Sequence, residues 1–437
     1  METFTRLLET PPLPQALLPL PGAAEAFLVG GALRNARLGL PVTDFDFATP
    51  FDPSSLARAF AARCGGRWFV LDAWRNQSRV VWTSPAGTLL SFDFAPFRAA
   101  DLAGDLRGRD FTVNTLALAL GSRQLFDPLG GAADLAARLL RDCAAGTFTE
   151  DPLRILRAVR LAVTLGFAIE AGTWERAGQN AELLHGVPAE RRADEVVRIV
   201  NHPRAAAGLE LLARLGVVSQ LFGPRPASAS RWLEQAAAGL ARLTEFAAWL
   251  PDRHPQLAAL LIAPVGRSLL RLGRLRLACI IAPGSFDPAA VEERLALGRE
   301  TLMALEHLLP VVSGSHPPPP TRPTRRSQAR WAAQEAFTED RLLLAAALAP
   351  DAAAREAQLE ALAAFLDLQQ EGRIPDLVDG RWITRNLGVA PGPELGELLA
   401  ALREAELSGT VQNPDEARKF LILLREKTVD KKNGKAL

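Results

Sequence analysis

Tyrosine is absent from the 437 residues, and cysteine (three), histidine (five) and methionine (two) are scarce. The lack of tyrosine carries no functional reading. Cys64, Cys143 and Cys279 form no CxxC pair, and no histidine stands beside an aspartate or in a zinc spacing. A disulfide framework and structural zinc are therefore not expected, and the chain reads as belonging to a reducing compartment. An excess of one charge is missing too, with 50 Lys and Arg against 49 Asp and Glu. Any nucleic-acid contact must then come from local arginine-rich faces and not from a global positive field. Long apolar runs are lacking as well. The opening METFTRLLETPPLPQALLPLPG is broken by prolines, has no basic start and is too short to span a bilayer. The expectation is a cytoplasmic protein without a membrane partner.

What is present is enough apolar residue, 48%, to bury several cores in a chain too long for one. The densest information lies in Phe27 to Thr49, FLVGGALRNARLGLPVTDFDFAT. An apolar run ends in Gly30 and Gly31, whose missing side chains let backbone N–H groups approach an anionic ligand, and Arg34 adds a positive charge one turn later. After a break at Gly39 and Pro41, Thr43 to Phe47 alternates polar and apolar residues, so Asp44 and Asp46 project from one face of a strand. Paired carboxylates in that position can hold Mg²⁺. The plain alternatives are a strand-to-helix turn for the glycines, a solvated helix face for Arg34 and a solvated Asp-x-Asp for the acids.

From Phe27 to Asp142, strand-like runs at 68–72, 79–84 and 89–97 mix with a helical one at 53–64, which predicts a small mixed sheet with helices. Beyond Asp151 the chain reads as Ala/Leu/Arg-rich helix, broken at Gly166, Pro188, Gly223-Pro224 and Pro283-Gly284. The expected class is α+β: a head at 1–143, then an all-α neck at 144–222, body at 223–370 and tail at 371–437. Residues 316–330, HPPPPTRPTRRSQAR, read as a polyproline linker with a basic end.

Four further segments follow the opening motif in order: Arg109-Asp110-Phe111-Thr112-Val113-Asn114; Asp127-Pro128-Leu129-Gly130-Gly131 with Asp134-Leu135; Glu150-Asp151-Pro152-Leu153-Arg154 running on to Arg157 and Arg160; and Glu190-Arg191 with Glu195. With these the chain resembles the bacterial class II tRNA nucleotidyltransferase and poly(A) polymerase family. Residues 377–417 are similar to the tail of the tRNA nucleotidyltransferases, while about 225–370 carry no motif. The resemblance implies a polymerase-β-like head, Mg²⁺ held by Asp44 and Asp46, and Asp93 on a neighbouring strand as a third acid or else a plain exposed residue. It implies nucleotide binding by Gly30, Gly31, Arg34, Arg109, Asp110 and Asn114. Two positions depart from the family pattern, Asn35 where Asp is usual and Gly108 where a second Arg is usual. Relatives that carry an HD phosphohydrolase domain have a His-Asp doublet; this chain has none, so no phosphohydrolase activity is expected.

In that family an RNA 3′-hydroxyl attacks the α-phosphate of an incoming nucleotide, and two metal ions stabilise the attacking and leaving oxygens. Mg²⁺ completes its shell with water and triphosphate, so two carboxylates suffice. The resemblance gives base choice to the helix after Pro152. Asp151 accepts from the amino group that C and A share, Arg154 donates to the adjacent ring acceptor, and Arg157 and Arg160 lie nearer phosphate or ribose. U presents a carbonyl to Asp151 and is rejected; the alternative is that Asp151 only caps the helix. The implied partners are CTP, ATP and the tRNA 3′ acceptor end. Poly(A) synthesis and a non-catalytic RNA-binding relative are the competing readings. In relatives that complete CCA, a flexible segment precedes the Arg-Asp-Phe-Thr motif. Here only the ten residues 99–108 separate Arg98 from Arg109. Such a short connector cannot swing far, which points to a CC-adding enzyme, or to ordinary loop-length variation.

Overall fold

Strand alternation decides how the head is built in the computed structural model, which describes residues 2–224, 226–315, 328, 331–333, 336–370, 377–407 and 410–432. Seven strands are β1 (Phe27–Val29), β2 (Asp44–Thr49), β3 (Arg67–Asp72), β4 (Gln77–Thr83), β5 (Leu89–Pro96), β6 (Ala117–Ala119) and β7 (Leu125–Phe126). They form one sheet in the order β3-β4-β5-β2-β1-β6-β7. Only β2 and β5 run parallel; the other neighbours are antiparallel. Phe45 and Phe47 of β2 stack on Phe92 and Phe94 of β5, with ring centroids 5.2 and 4.9 Å apart. Phe60, from the helix Ser54–Cys64, meets Phe92 edge-on at 5.1 Å. These rings bury one face of the sheet, and alternation leaves the acids on the other. The three sequence-predicted strands and the helix at 53–64 agree with β3, β4, β5 and Ser54–Cys64 within two residues.

Contacts divide the described chain into two compact units, residues 1–191 with 214–217 and residues 192–213 with 218–437. In the first, the helix Leu153–Leu165 buries Leu153, Ile155, Leu156 and Val159 along one arc. The motif around Gly131 lies against the motif at 112: a Cβ on Gly131 would come within 2.2 Å of the Thr112 carbonyl oxygen, so only glycine allows this approach. Asp134 then accepts the Thr112 hydroxyl at 2.6 Å.

The second unit is helical, as the sequence predicts, and includes the helices Ala229–Arg253, Arg271–Gly284, Arg299–Val312, Thr338–Ala347 and Ala352–Gln370. The tail helices Gly380–Leu387, Pro393–Leu407 and Pro414–Lys432 close around their own apolar cluster, with Ile383, Leu402 and Leu421 fully buried. Apart from Gln328, the proline-rich segment 316–330 lies outside the described residues. No described helix is long and apolar enough to cross a membrane.

Candidate active site

The parallel register of β2 and β5 sets Asp46 opposite Asp93 and Asp44 opposite Ser91. Asp44 accepts the hydroxyls of Ser91 and Thr43, the latter at 2.8 Å. Arg79, opposite Asp93 on β4, grips both Asp93 oxygens at 2.6 and 2.7 Å. Burial pushes the Asp46 carboxyl up from its ordinary value, and the adjacent Asp93 adds to the rise; Arg109 and Arg157 oppose it. Hard oxygen donors on one face, one of them resisting ionisation because it is buried beside a second carboxylate, fit a divalent metal. Among the described residues no three His, Cys, Asp or Glu side chains converge as a closed metal cage. A divalent ion here would rest on Asp44 and Asp46 and fill its shell from water and triphosphate, with Asp93 held beside them by Arg79.

The glycine turn is brought against this strand. Gly30 has φ +78° and ψ −134°, and a Cβ there would lie 3.2 Å from the Arg109 guanidinium and 3.6 Å from Asp46 Oδ2. A side chain would fill the space between the turn and the acid. From the following helix, Gly31–Arg37, Arg34 reaches back. It donates to the Asn114 side-chain oxygen and, at 3.1 and 2.9 Å, to Asn35 Oδ1. The neutral Asn35 therefore steers this guanidinium by accepting from it, without a charge. Burial lowers the Arg34 pKa to about 10; Asp110 opposes the fall, while Arg160 and Arg157 add to it. Asp110 is paired with Arg157 and accepts from Asn114 Nδ2 at 2.9 Å and from the Phe111 N–H at 2.8 Å. Burial alone would raise its pKa, yet Arg157, these two hydrogen bonds and Arg154 hold it at about 2. Arg34, Asp110, Asn114, Arg157 and Arg160 thus form one cluster, joined to Asp46 through Arg109 and the turn.

The helix expected to read the base begins directly after Pro152, as the sequence predicts. Thr147–Glu150 is a separate helical turn, Asp151 is extended (φ −145°, ψ 96°), and the long helix starts at Leu153. Proline at 152 explains the break, since it restricts the preceding residue to extended conformations. Asp151 accepts the Leu153 N–H at a long 3.3 Å and pairs with Arg191 at 3.0 Å. Arg154 donates to the Gly108 carbonyl at 2.7 Å and the Thr147 carbonyl at 3.3 Å, and lies 3.5 Å from Glu150. Asp151 and Arg154 are close in the chain but satisfied by different partners.

Sequence reading assigned no role to Arg79, Ser91, Asp105 or Arg191. Asp105, 1% exposed, accepts the Arg98 N–H at 3.1 Å and the Arg109 guanidinium at 2.9 Å. It fixes the connector, whose residues Leu102–Arg107 are a short helix capped by Asp101. An acid amid apolar and small residues, four before an arginine, was the signal available.

Two family models match the chain: the poly A polymerase head domain over residues 26–141, and a probable RNA- and SrmB-binding site of polymerase A over 166–229. The CC-adding tRNA nucleotidyltransferase of Geobacter sulfurreducens is 35% identical over 422 residues, covering 94% of this chain and 95% of its own. The A-adding tRNA nucleotidyltransferase of Deinococcus radiodurans is 33% identical, covering 97% and 99%. Among solved structures, the Thermotoga maritima CCA-adding enzyme complexed with tRNA shares the fold, with a TM-score of 0.68 at 19% identity over 96% of this chain and 98% of that one. With the ordered motifs, the seven-stranded head and relatives matched nearly end to end, the chain belongs to the bacterial tRNA nucleotidyltransferase and poly(A) polymerase family.

Proposed function

We propose that this protein is a template-independent tRNA nucleotidyltransferase of the cytoplasm that adds two C residues to the tRNA 3′ end and leaves the terminal A to another enzyme. The observation that carries the transfer chemistry is the Asp46–Asp93 register with the Gly30 turn closed against it. Mg²⁺ bound at Asp44 and Asp46 supplies charge stabilisation for the attacking and leaving oxygens. Arg34, Arg157 and Arg160 orient the triphosphate, with Asp110 and Asn114 holding the arginines apart from one another. Asp151 and Arg154 exchange their present partners for the base edge of the incoming nucleotide. The tail from about 371 onward contacts tRNA phosphates.

Restriction to C rests on the connector. Its helix is tied at both ends through Asp105, and its last carbonyl, Gly108, holds Arg154. A segment pinned in this way has little freedom to reset the base-reading arginine between C and A. The CC-adding relatives from Geobacter sulfurreducens and, at 32% identity over 438 residues, Thermus thermophilus support the same reading. The A-adding Deinococcus relative favours a second reading, addition of A alone. The test is incubation with Mg²⁺ and tRNA transcripts lacking CCA, ending in C, or ending in CC, with each nucleotide separately. Two C additions from CTP and almost none from ATP on the CC-ending transcript are expected. Brisk addition of one A to that transcript would overturn the CC restriction, and long adenylate tails would make the protein a poly(A) polymerase.

A further inference from the structure

The carboxylates divide the sheet into two sides. On the β1 side lie the glycine turn and Arg34, the groups suited to a triphosphate. In-line displacement places the attacking hydroxyl opposite the leaving pyrophosphate. The RNA end must then come from the other side, over β5, β4 and β3. Cross-strand partners share a face, and two rows can be followed there. One runs Phe69–Arg79–Asp93–Asp46 and the other Arg67–Val81–Ser91–Asp44. Their outer ends, Phe69 and Arg67 on the edge strand, are exposed, Phe69 to 42%. Phe69 stands two strand spacings from Asp93, about 10 Å. The opposite face of the same strand is different in chemistry: Trp68 is covered by the Arg58 guanidinium at 4.3 Å, and Val70, across from Ser78, is exposed but aliphatic.

Resting on the proposed reaction, we infer that Phe69, flanked by Arg67 and Arg79, is a stacking platform for a base of the RNA 3′ end just behind the reacting hydroxyl. An aromatic ring between guanidinium groups is the arrangement that holds single-stranded nucleic acid without reading its sequence, the ring stacking on a base and the cations meeting phosphate. That indifference suits a protein whose substrates differ in the nucleotide preceding CCA. Arg67, exposed at the outer end of its row beside Phe69, with Arg79 next to Phe69 on β4, favours a phosphate-bearing ligand over a second copy of the chain.

The test uses a tRNA transcript lacking CCA, with 2-aminopurine in place of the 3′-terminal base, and the full-length protein. Wild type should quench the fluorophore on binding. Phe69→Ala should lose the quench and weaken tRNA affinity roughly tenfold, the loss expected for one stacked base, with CTP affinity in Mg²⁺ retained and KM for tRNA raised far more than kcat is lowered. Phe69→Trp should restore both signals, and Val70→Ala, 50% exposed on the other face, should change neither. Wild-type tRNA affinity in Phe69→Ala would overturn the platform, as would an equal loss in Val70→Ala. So would a wild-type dimer that Phe69→Ala dissociates in sedimentation velocity, because the face would then join two copies. A wild-type protein that shows the quench but adds no nucleotide would sink the proposed reaction and leave the platform standing.

Discussion

Arg34 in the first unit and Arg276 in the second are both lowered to about 10 by burial, but their neighbours differ. Around Arg34 stand Arg157 and Arg160, which add to the shift, and Asp110 and Asp46, which oppose it. Arg276 has no such crowd. It donates to the Val200 and His202 carbonyls at 2.8 and 2.9 Å and to the Thr244 hydroxyl at 3.3 Å, tying the helix Arg271–Gly284 to the end of Ala189–Asn201. Nearby, Arg274 is 2% exposed and held by Asp340 at 2.9 and 2.8 Å. Burial alone therefore does not mark a functional group. Like charges gathered in one place, with neutralisation left incomplete, do.

Breaking the second unit's pairs should give the largest effect. Asp340→Ala removes the buried carboxylate that serves both Arg274 and Arg271, leaving Arg271 to Glu339 and the buried Arg274 to the exposed Glu300 at 3.3 Å. The expected cost is about 3–5 kcal/mol in urea unfolding, with no change in nucleotide preference by the molecules that remain folded. A loss below 1 kcal/mol would mean the ion pair adds nothing to packing.

Breaking the first unit's acids should do the reverse. Asp44→Ala and Asp46→Ala should each lower nucleotide transfer at least about a hundredfold in saturating Mg²⁺. Without metal, Asp46→Asn should unfold at a higher temperature than wild type, since burial and Asp93 penalise the charged carboxylate. Near-normal turnover in either alanine variant would remove the metal assignment.

The difference between the two units also explains what could be read from the chain. Asp44 and Asp46 were legible because alternation is local: two residues fix the face. The helix at 153–165 was legible from the Asp151-Pro152 start, and it begins directly after the proline. Arg79 was not, because its partner Asp93 depends on the β4–β5 register, and β5 in turn on parallel pairing with β2 across 40 or so residues of intervening chain. Asp105 and Arg274 were missed for a common reason. A charged residue in a helix is read as solvated by default, and only tertiary packing reveals a buried partner.

Asp110 offers a smaller and sharper contrast. Its folded pKa of about 2 lies below the ordinary 3.8, so its contribution to stability is full above that ordinary value and is lost as pH falls toward 2. The amount is on the order of 2 kcal/mol. Thermal unfolding of wild type and Asp110→Asn between pH 5 and pH 2 (about the span the shift defines) should show the gap between them closing as acid is added. Parallel curves for Asp110→Asn would deny the carboxylate its charged partners.

The smallest expected effect concerns choice of base and asks whether Asp151 belongs with the crowded groups or with the satisfied ones. Its carboxylate pairs with Arg191 at 3.0 Å and accepts the Leu153 N–H at 3.3 Å, a geometry too long for a strong helix cap. If the group addresses the incoming base, Asp151→Ala should relax discrimination against UTP by about tenfold, because one donor–acceptor pair at a base edge contributes about 1–3 kcal/mol of selectivity. Triphosphate affinity should fall less, since Arg34 and Arg157 are untouched. If the group is structural, kcat/KM should fall equally for all four nucleotides and the helix Leu153–Leu165 should lose stability. Competition between CTP and UTP on a tRNA lacking CCA separates the two: a relaxed ratio places Asp151 at the base, and an unchanged ratio places it with Asp340 as part of the scaffold.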